Sequence, residues 1–154
     1  MFNFDEFLID SYLDSNNAPL YHFTDAWTLI NMILEDNSLK IGNFKHPTEM
    51  GDKNILSLTR DVNFKLEHRD SEVMICLDKN KFVPYDFYIH TKKDSHKKWE
   101  IDRKRFENEE IIYTEIKDLN KYILYIKFID VNIYNEYKKQ LSKFIDKYNL
   151  KIEY

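Results

Sequence analysis

Three short segments of this chain carry residue types that could do chemistry at their spacing. The first is Tyr21-His22-Phe23-Thr24, where a histidine sits in a short apolar run just before a helix start. Strand ends that lead into helix N-termini are common ligand positions, because free backbone N–H groups and the helix dipole point outward there. The second is Leu56-Ser57-Leu58-Thr59-Arg60-Asp61. Alternation puts Ser57 and Thr59 on one face of a strand and the two leucines on the other. Two hydroxyls followed by an arginine could grip a phosphate or a ribose. The third is Arg105-Phe106-Glu107-Asn108-Glu109-Glu110-Ile111-Ile112. Three acids crowd the start of an apolar strand, and carboxylates that close repel one another, which favours a raised pKa or a cationic partner. Each segment also has an ordinary reading: a core-edge histidine with a Thr cap, a half-exposed strand with a surface ion pair, and a solvated acidic turn.

The elements that would position these residues follow from periodicity. Asn3 to Asp14 reads as a helix, with Phe4, Phe7, Leu8 and Tyr12 on one face and Asn3 with Glu6 at capping-box spacing. Pro19 opens a strand, Leu20 to Phe23, and Thr24 caps a helix from Asp25 to about Glu35 with Ala26, Ile30 and Ile33 toward the core. Leu39 to Ile41 reads as a short strand. Gly42 to Lys53, with Pro47 and Gly51, reads as a loop. Strands follow at Ile55 to Thr59, Glu72 to Leu77, Phe87 to His90, Glu110 to Ile116 and Tyr122 to Asp130. The run Val73 to Leu77 is apolar throughout and so belongs at the centre of a sheet. In the last strand Ile123, Tyr125, Lys127 and Ile129 oppose Leu124, Ile126 and Phe128. A helix from about Asn132 to Tyr148 closes the chain, with Ile133, Tyr137, Leu141, Phe144, Ile145 and Tyr148 at helical spacing. Helices at the ends and strands between them favour an α+β class over a doubly wound sheet.

Bulk properties narrow the function classes. A chain of 154 residues suits a single domain, 1–154, with a sizeable core. Aromatics make up 16 % of it, against disorder. The net charge of −4 is unlike that of a generic nucleic-acid binder. No apolar run approaches the roughly 20 residues that span a bilayer. The N-terminus carries early acids and no basic leader, and the single cysteine, Cys76, lies in an apolar run as a core residue, so a cytoplasmic location is expected. His46, His68, His90 and His96 have no metal-ligand spacing, so no metal is expected. There is neither a Gly-rich phosphate loop nor a nucleophile elbow. Seven Lys/Arg and three Asp/Glu stand between Lys92 and Arg105, with Trp99 among them, either a mobile solvated loop or a guide for an acidic partner.

Taken together and in order, the three segments resemble the motifs of the ADP-ribosyltransferase fold family. Tyr-His22-Phe-Thr resembles its first motif, Ser57-Leu58-Thr59 its second, and Glu107-Asn108-Glu109-Glu110-Ile-Ile its third. The whole looks most like small phage and bacterial proteins of that kind, over roughly Leu20 to Asp130. The resemblance implies a split, mostly antiparallel β core with N-terminal helices and a C-terminal amphipathic helix. It also implies NAD as substrate. His22 would lie at the adenosine ribose and Ser57 and Thr59 at the nicotinamide ribose, with Thr24 also among the cofactor-binding residues. Arg60, Arg103 or Arg105 would hold the pyrophosphate, and Tyr21 or Phe64 would stack on nicotinamide. The catalytic carboxylate would be Glu110, which stands just before the apolar residues, or Glu107 and Glu109, which have Glu-x-Glu spacing. The implied activity is transfer of ADP-ribose to a macromolecular acceptor, protein or nucleic acid, or hydrolysis of NAD, in a phage or toxin effector. The alternative is a non-catalytic protein-binding module of phage origin that inhibits a host partner.

Overall fold

A computed structural model describes residues 19–40, 56–59, 62, 71–81, 88–89, 109–112 and 115–154, with the backbone alone at Ser57, 88–89 and 109–112. The helix expected over Asn3 to Asp14, the loop Gly42 to Lys53 and the basic stretch Lys92 to Arg105 lie outside these residues. The fold is of mixed α+β class, and antiparallel pairing dominates its sheet.

The strands are β1 (Leu20–Thr24), β2 (Ser38–Leu39), β3 (Leu56–Thr59), β4 (Val73–Leu77), β5 (Tyr88–Ile89), β6 (Glu109–Ile112), β7 (Ile116–Lys117), β8 (Ile123–Phe128) and β9 (Ile152–Glu153). Seven of them form one sheet in the order β5-β6-β3-β1-β4-β8-β9, while β2 and β7 pair separately. Among the described residues only β9 runs parallel to its neighbour, and the other pairings are antiparallel. All five residues of β4 are buried, as a strand with neighbours on both sides requires.

Helix α1 (Ala26–Thr28) continues as a π-helical stretch, Leu29–Leu34. Leu29, Ile30, Ile33 and Leu34 are all buried there. Thr24 does not cap this helix. It is the last residue of β1, paired with Val73. Asp25 takes the cap: its carboxylate accepts hydrogen bonds from the Thr28 N–H and the Thr28 hydroxyl, both at 2.7 Å. A carboxylate in this position satisfies an orphan donor and favours the helix dipole, which a strand-bound threonine does not. Helix α2 (Val131–Tyr148) begins at Asp130, whose side chain accepts from the Asn132 N–H, and ends at Asn149 in a left-handed conformation.

One sheet face packs against the helices. Leu20, Leu56, Leu58, Val73, Ile75, Leu77, Ile126 and Phe128 form a single cluster with residues of the π-helical stretch and with Leu141 and Phe144 of α2. The simple alternation expected along β8 fails at its start. A bulge between Cys76 and Leu77 pairs Tyr125 with Cys76 and Ile123 with Leu77. Ile123 therefore packs against the core, and Leu124 is left exposed. The third-motif strand also differs from its expected extent. It is Glu109–Ile112, and Ile116 belongs to a separate strand that pairs with β2.

The β2–β7 ribbon is anchored by a pair of asparagines. Asn37 has φ 49°, the left-handed region that asparagine tolerates better than most residues. Its side-chain amide donates to Asn120 Oδ1 at 2.7 Å, and its own Oδ1 accepts from the Asn120 N–H at 2.9 Å. Asn37→Ala loses both hydrogen bonds and the conformational tolerance, and we expect a cost of about 2–3 kcal/mol in urea unfolding. Asn37→Gly keeps the backbone tolerance and should lose less.

Candidate functional site

The three motif segments form three adjacent strands, β6, β3 and β1. Their register decides which candidate positions meet. Tyr21 is level with Thr59, and Thr59 with Glu109. Leu58 is level with Glu110, and Ser57 with Ile111. Positions directly opposite one another share a face, and successive residues alternate.

The pleat therefore divides the candidates into two sets. His22, Thr24 and the position of Glu110 lie on the face of Leu58 and Ile75, the face that builds the core. Thr59 and the positions of Ser57 and Glu109 lie on the opposite face with Tyr21, Phe23 and Cys76. The sheet brings His22 together with Glu110 and does not bring either to the face of the hydroxyl pair. Glu107, Arg60, Arg103, Arg105 and Phe64 lie outside the described residues, as do His46, His68, His90 and His96.

The two faces differ in character. On the core face every described strand position from β3 across to β8 is apolar, from Leu56 and Leu58 through Leu20, Val73, Ile75 and Leu77 to Ile126 and Phe128, except His22 and Thr24. Ile112 extends that apolar pattern to β6, and Glu110 breaks it there. Thr24 is explained by the end of the strand. His22 lies in the middle of β1, and Glu110 stands one residue from the start of β6. They stand at the same level on either side of Leu58, two strand spacings or roughly 10 Å apart. His22 is half-buried beside Ile75. Polar residues on an otherwise apolar face are costly, and natural sequences keep them mainly where function requires it.

The helix start after β1 is not open to an anion. Glu72 Oε2 accepts the Ala26 N–H at 2.8 Å, and Asp25 occupies the Thr28 N–H. Two of the protein's own carboxylates thus fill a position where the pattern Tyr-His-Phe-Thr suggested ligand donors. Glu72 is 46 residues from Ala26, so no local spacing announces this contact.

On the opposite face lies a cluster that sequence reasoning missed. Tyr21 is level with Cys76, and Cys76 with Tyr125, so the three stand side by side across β1, β4 and β8. Burial pushes the Cys76 thiol up, partly offset by the hydrogen bond with Tyr125. Burial also pushes up the Tyr21 and Tyr125 phenols. The thiol is therefore protonated near neutral pH and is a poor nucleophile. The sequence signal available was the pairing of two tyrosines with one cysteine across neighbouring strands, which becomes visible only once the register is known. Among the described residues no group of three or more His, Cys, Asp or Glu could hold a metal ion, and no helix is long and apolar enough to cross a membrane. A groove of about 560 Å³ lies elsewhere, between the π-helical stretch and α2, lined by Ile30, Asn31, Glu35, Lys139, Gln140 and Lys143.

Neither the protein-family models nor the curated proteins provide a match to this chain.

The raised pKa values of the Tyr21–Cys76–Tyr125 cluster set an alkaline limit on stability. A phenol or thiol whose pKa is higher in the folded state keeps its proton while the unfolded chain gives it up. Its contribution is complete below the ordinary thiol value of about 8.5 and falls away as pH rises past that value and past about 10 for phenols. The urea midpoint should therefore fall between pH 8 and pH 10.5, and it should fall less steeply in Tyr125→Phe.

Proposed function

We propose that the protein transfers ADP-ribose from NAD to a macromolecular acceptor, or to water, at the core-face end of the β6-β3-β1 strip. One observation carries this reading: His22 and Glu110 are in register across Leu58 on a face whose other described strand positions, Thr24 apart, are apolar. The resemblance of the three motifs supports it, since their strands are neighbours in the sheet.

The chemistry follows from those two positions. The bond between C1′ of the nicotinamide ribose and the pyridinium nitrogen breaks. Nicotinamide leaves with the bonding electron pair, which neutralises its ring. The ribose becomes an oxocarbenium-like cation, and a nearby carboxylate stabilises it. Glu110 fills that role and accepts a hydrogen bond from the ribose 2′-hydroxyl. His22 holds the adenosine ribose of the same dinucleotide. Apolar neighbours lower the local dielectric and strengthen the attraction between carboxylate and cation. The acceptor nucleophile then bonds to C1′ and gives up its proton. With water as acceptor, the reaction is hydrolysis. On this reading Ser57, Thr59 and Glu109 serve the back of the sheet.

The test is NAD consumption by the purified protein, with and without cell extract, checking each variant's fold by thermal unfolding. Glu110→Gln should lose on the order of a hundredfold in rate, as removal of a transition-state charge does. His22→Ala should raise the NAD concentration needed for half-maximal rate. Glu109→Gln and Thr59→Ala should stay within about threefold of wild type. Loss in Glu109→Gln with Glu110→Gln spared would move the site to the other face. A wild-type protein that neither consumes nor binds NAD would leave the protein-binding module as the better reading.

A further inference from the structure

The groove between the π-helical stretch and α2 holds polar groups that the fold leaves only partly used. At about 560 Å³ it is within the size range of small-molecule sites. Ile30, Asn31 and Glu35 line it from the first element, and Lys139, Gln140 and Lys143 from the second. Ile30 is 4 % exposed and supplies the apolar floor, while Glu35 and Lys143 are exposed at the rim. Ile30 and Asn31 belong to the i→i+5 backbone, a geometry that is rare, short and frequent at functional sites.

One ion pair crosses the groove, with Lys143 Nζ 3.3 Å from Glu35 Oε2. It engages a single oxygen of the Glu35 carboxylate. Among the described residues Glu35 Oε1, the Lys139 ammonium and the Gln140 side-chain amide make no hydrogen bond or ion pair. The Asn31 amide donates to the Trp27 carbonyl at 3.0 Å, and its Oδ1 is an open acceptor among the same residues. Lys139 and Lys143 are one turn apart on α2, and Glu35 is tied to Lys143. The groove therefore presents an unused cation and an unused carboxylate oxygen about one helical turn apart, roughly 5–6 Å. Two amides and an apolar side chain stand alongside them.

We infer that this groove binds a small zwitterion of dipeptide size. Its carboxylate pairs with Lys139, and its ammonium with the second oxygen of Glu35. Its amide meets Gln140 and Asn31, and an apolar side chain rests on Ile30. Length selects the dipeptide. An amino acid carries both charges on one carbon and is too short to reach both partners, whereas two extended residues span up to about 7 Å. None of the lining residues is a candidate for the transfer reaction, so the inference stands apart from that reading.

The test is a proton–nitrogen NMR titration of the full chain with alanyl-leucine at constant salt. Its N-acetylated form, its C-terminal amide, free leucine and sodium acetate are run in parallel. Resonances of Ile30, Asn31, Gln140 and Lys143 should shift saturably with alanyl-leucine. The dissociation constant should be on the order of millimolar, because exposed charge pairs are weak. Acetylation removes the ammonium and amidation the carboxylate, and each should weaken binding about two- to fivefold. Lys139→Ala should weaken the parent dipeptide by as much and leave binding of the amide unchanged. Glu35→Gln should stand in the same relation to the acetylated form. Both side chains are exposed, so the remaining resonances report whether the fold is intact. No saturable shift up to roughly 50 mM would overturn the inference. Equal binding of the acetylated form would do so as well, as would equal shifts with acetate, which mark a plain anion site. Free leucine binding as tightly as the dipeptide would overturn the argument from length.

Discussion

Glu72 makes three hydrogen bonds on which the architecture around the candidate site turns. Its N–H donates to the Thr24 carbonyl at 3.1 Å, its carboxylate accepts the Ala26 N–H, and its carbonyl accepts the Ile129 N–H. One residue thus fixes where β1 stops, where the first helix starts and where β8 runs out. The strand-to-helix switch after His22 is sharp because the Ala26, Thr28 and Glu72 N–H groups at the corner all have partners. Without that carboxylate the start of a short helix would depend on Asp25 alone, and a helix this short does not hold itself together. The level at which His22 stands in the sheet is a consequence, since β1 is anchored at its end as well as along its sides.

The pleat then does the sorting. With β1 paired on one side to β3 and on the other to β4, neighbouring residues in each strand must face opposite ways. A motif read along the chain groups Ser57, Thr59 and His22 by type. The sheet groups His22 with Glu110 and the hydroxyls with Tyr21 and Cys76. Packing makes this arrangement rigid: Leu58 and Ile75, the neighbours of His22, are almost wholly buried, so a one-residue slip would place polar residues in the core and leucines outside it.

What was legible in the sequence and what was not follows from the range of the interactions. The apolar run Val73 to Leu77 placed β4 at the centre, and the helical repeat from Ile133 to Tyr148 gave α2 within a residue of its start, because both signals are local and strong. Each of the three motif segments carries a strand signal of its own, and their adjacency follows from no local pattern. The bulge at Cys76, which turns Leu124 outward, depends on a partner strand more than forty residues away in sequence and leaves no mark in the alternation. Asp25 displaced Thr24 as the helix cap because β4 claims Thr24, another long-range decision. The parallel strand β9 is two residues long, too short for any periodicity to reveal. For the candidate site, the identity of the polar residues was readable, and the face on which each stands was not.

The left-handed Asn149 that ends α2 has an effect well beyond the helix. It turns the chain so that Leu150 is buried and Ile152–Glu153 lies alongside β8, while Tyr154 stacks on Tyr134 with ring centroids 3.9 Å apart. β8, the longest of the described strands, is thereby withdrawn from the margin, and the strand beside it there, β9, has two residues. An open six-residue margin would offer its free N–H and C=O groups to any other extended chain, including another molecule of this protein. A two-residue margin offers almost no such template, so on the β9 side the sheet is guarded against growing into fibrous assemblies through its own strands.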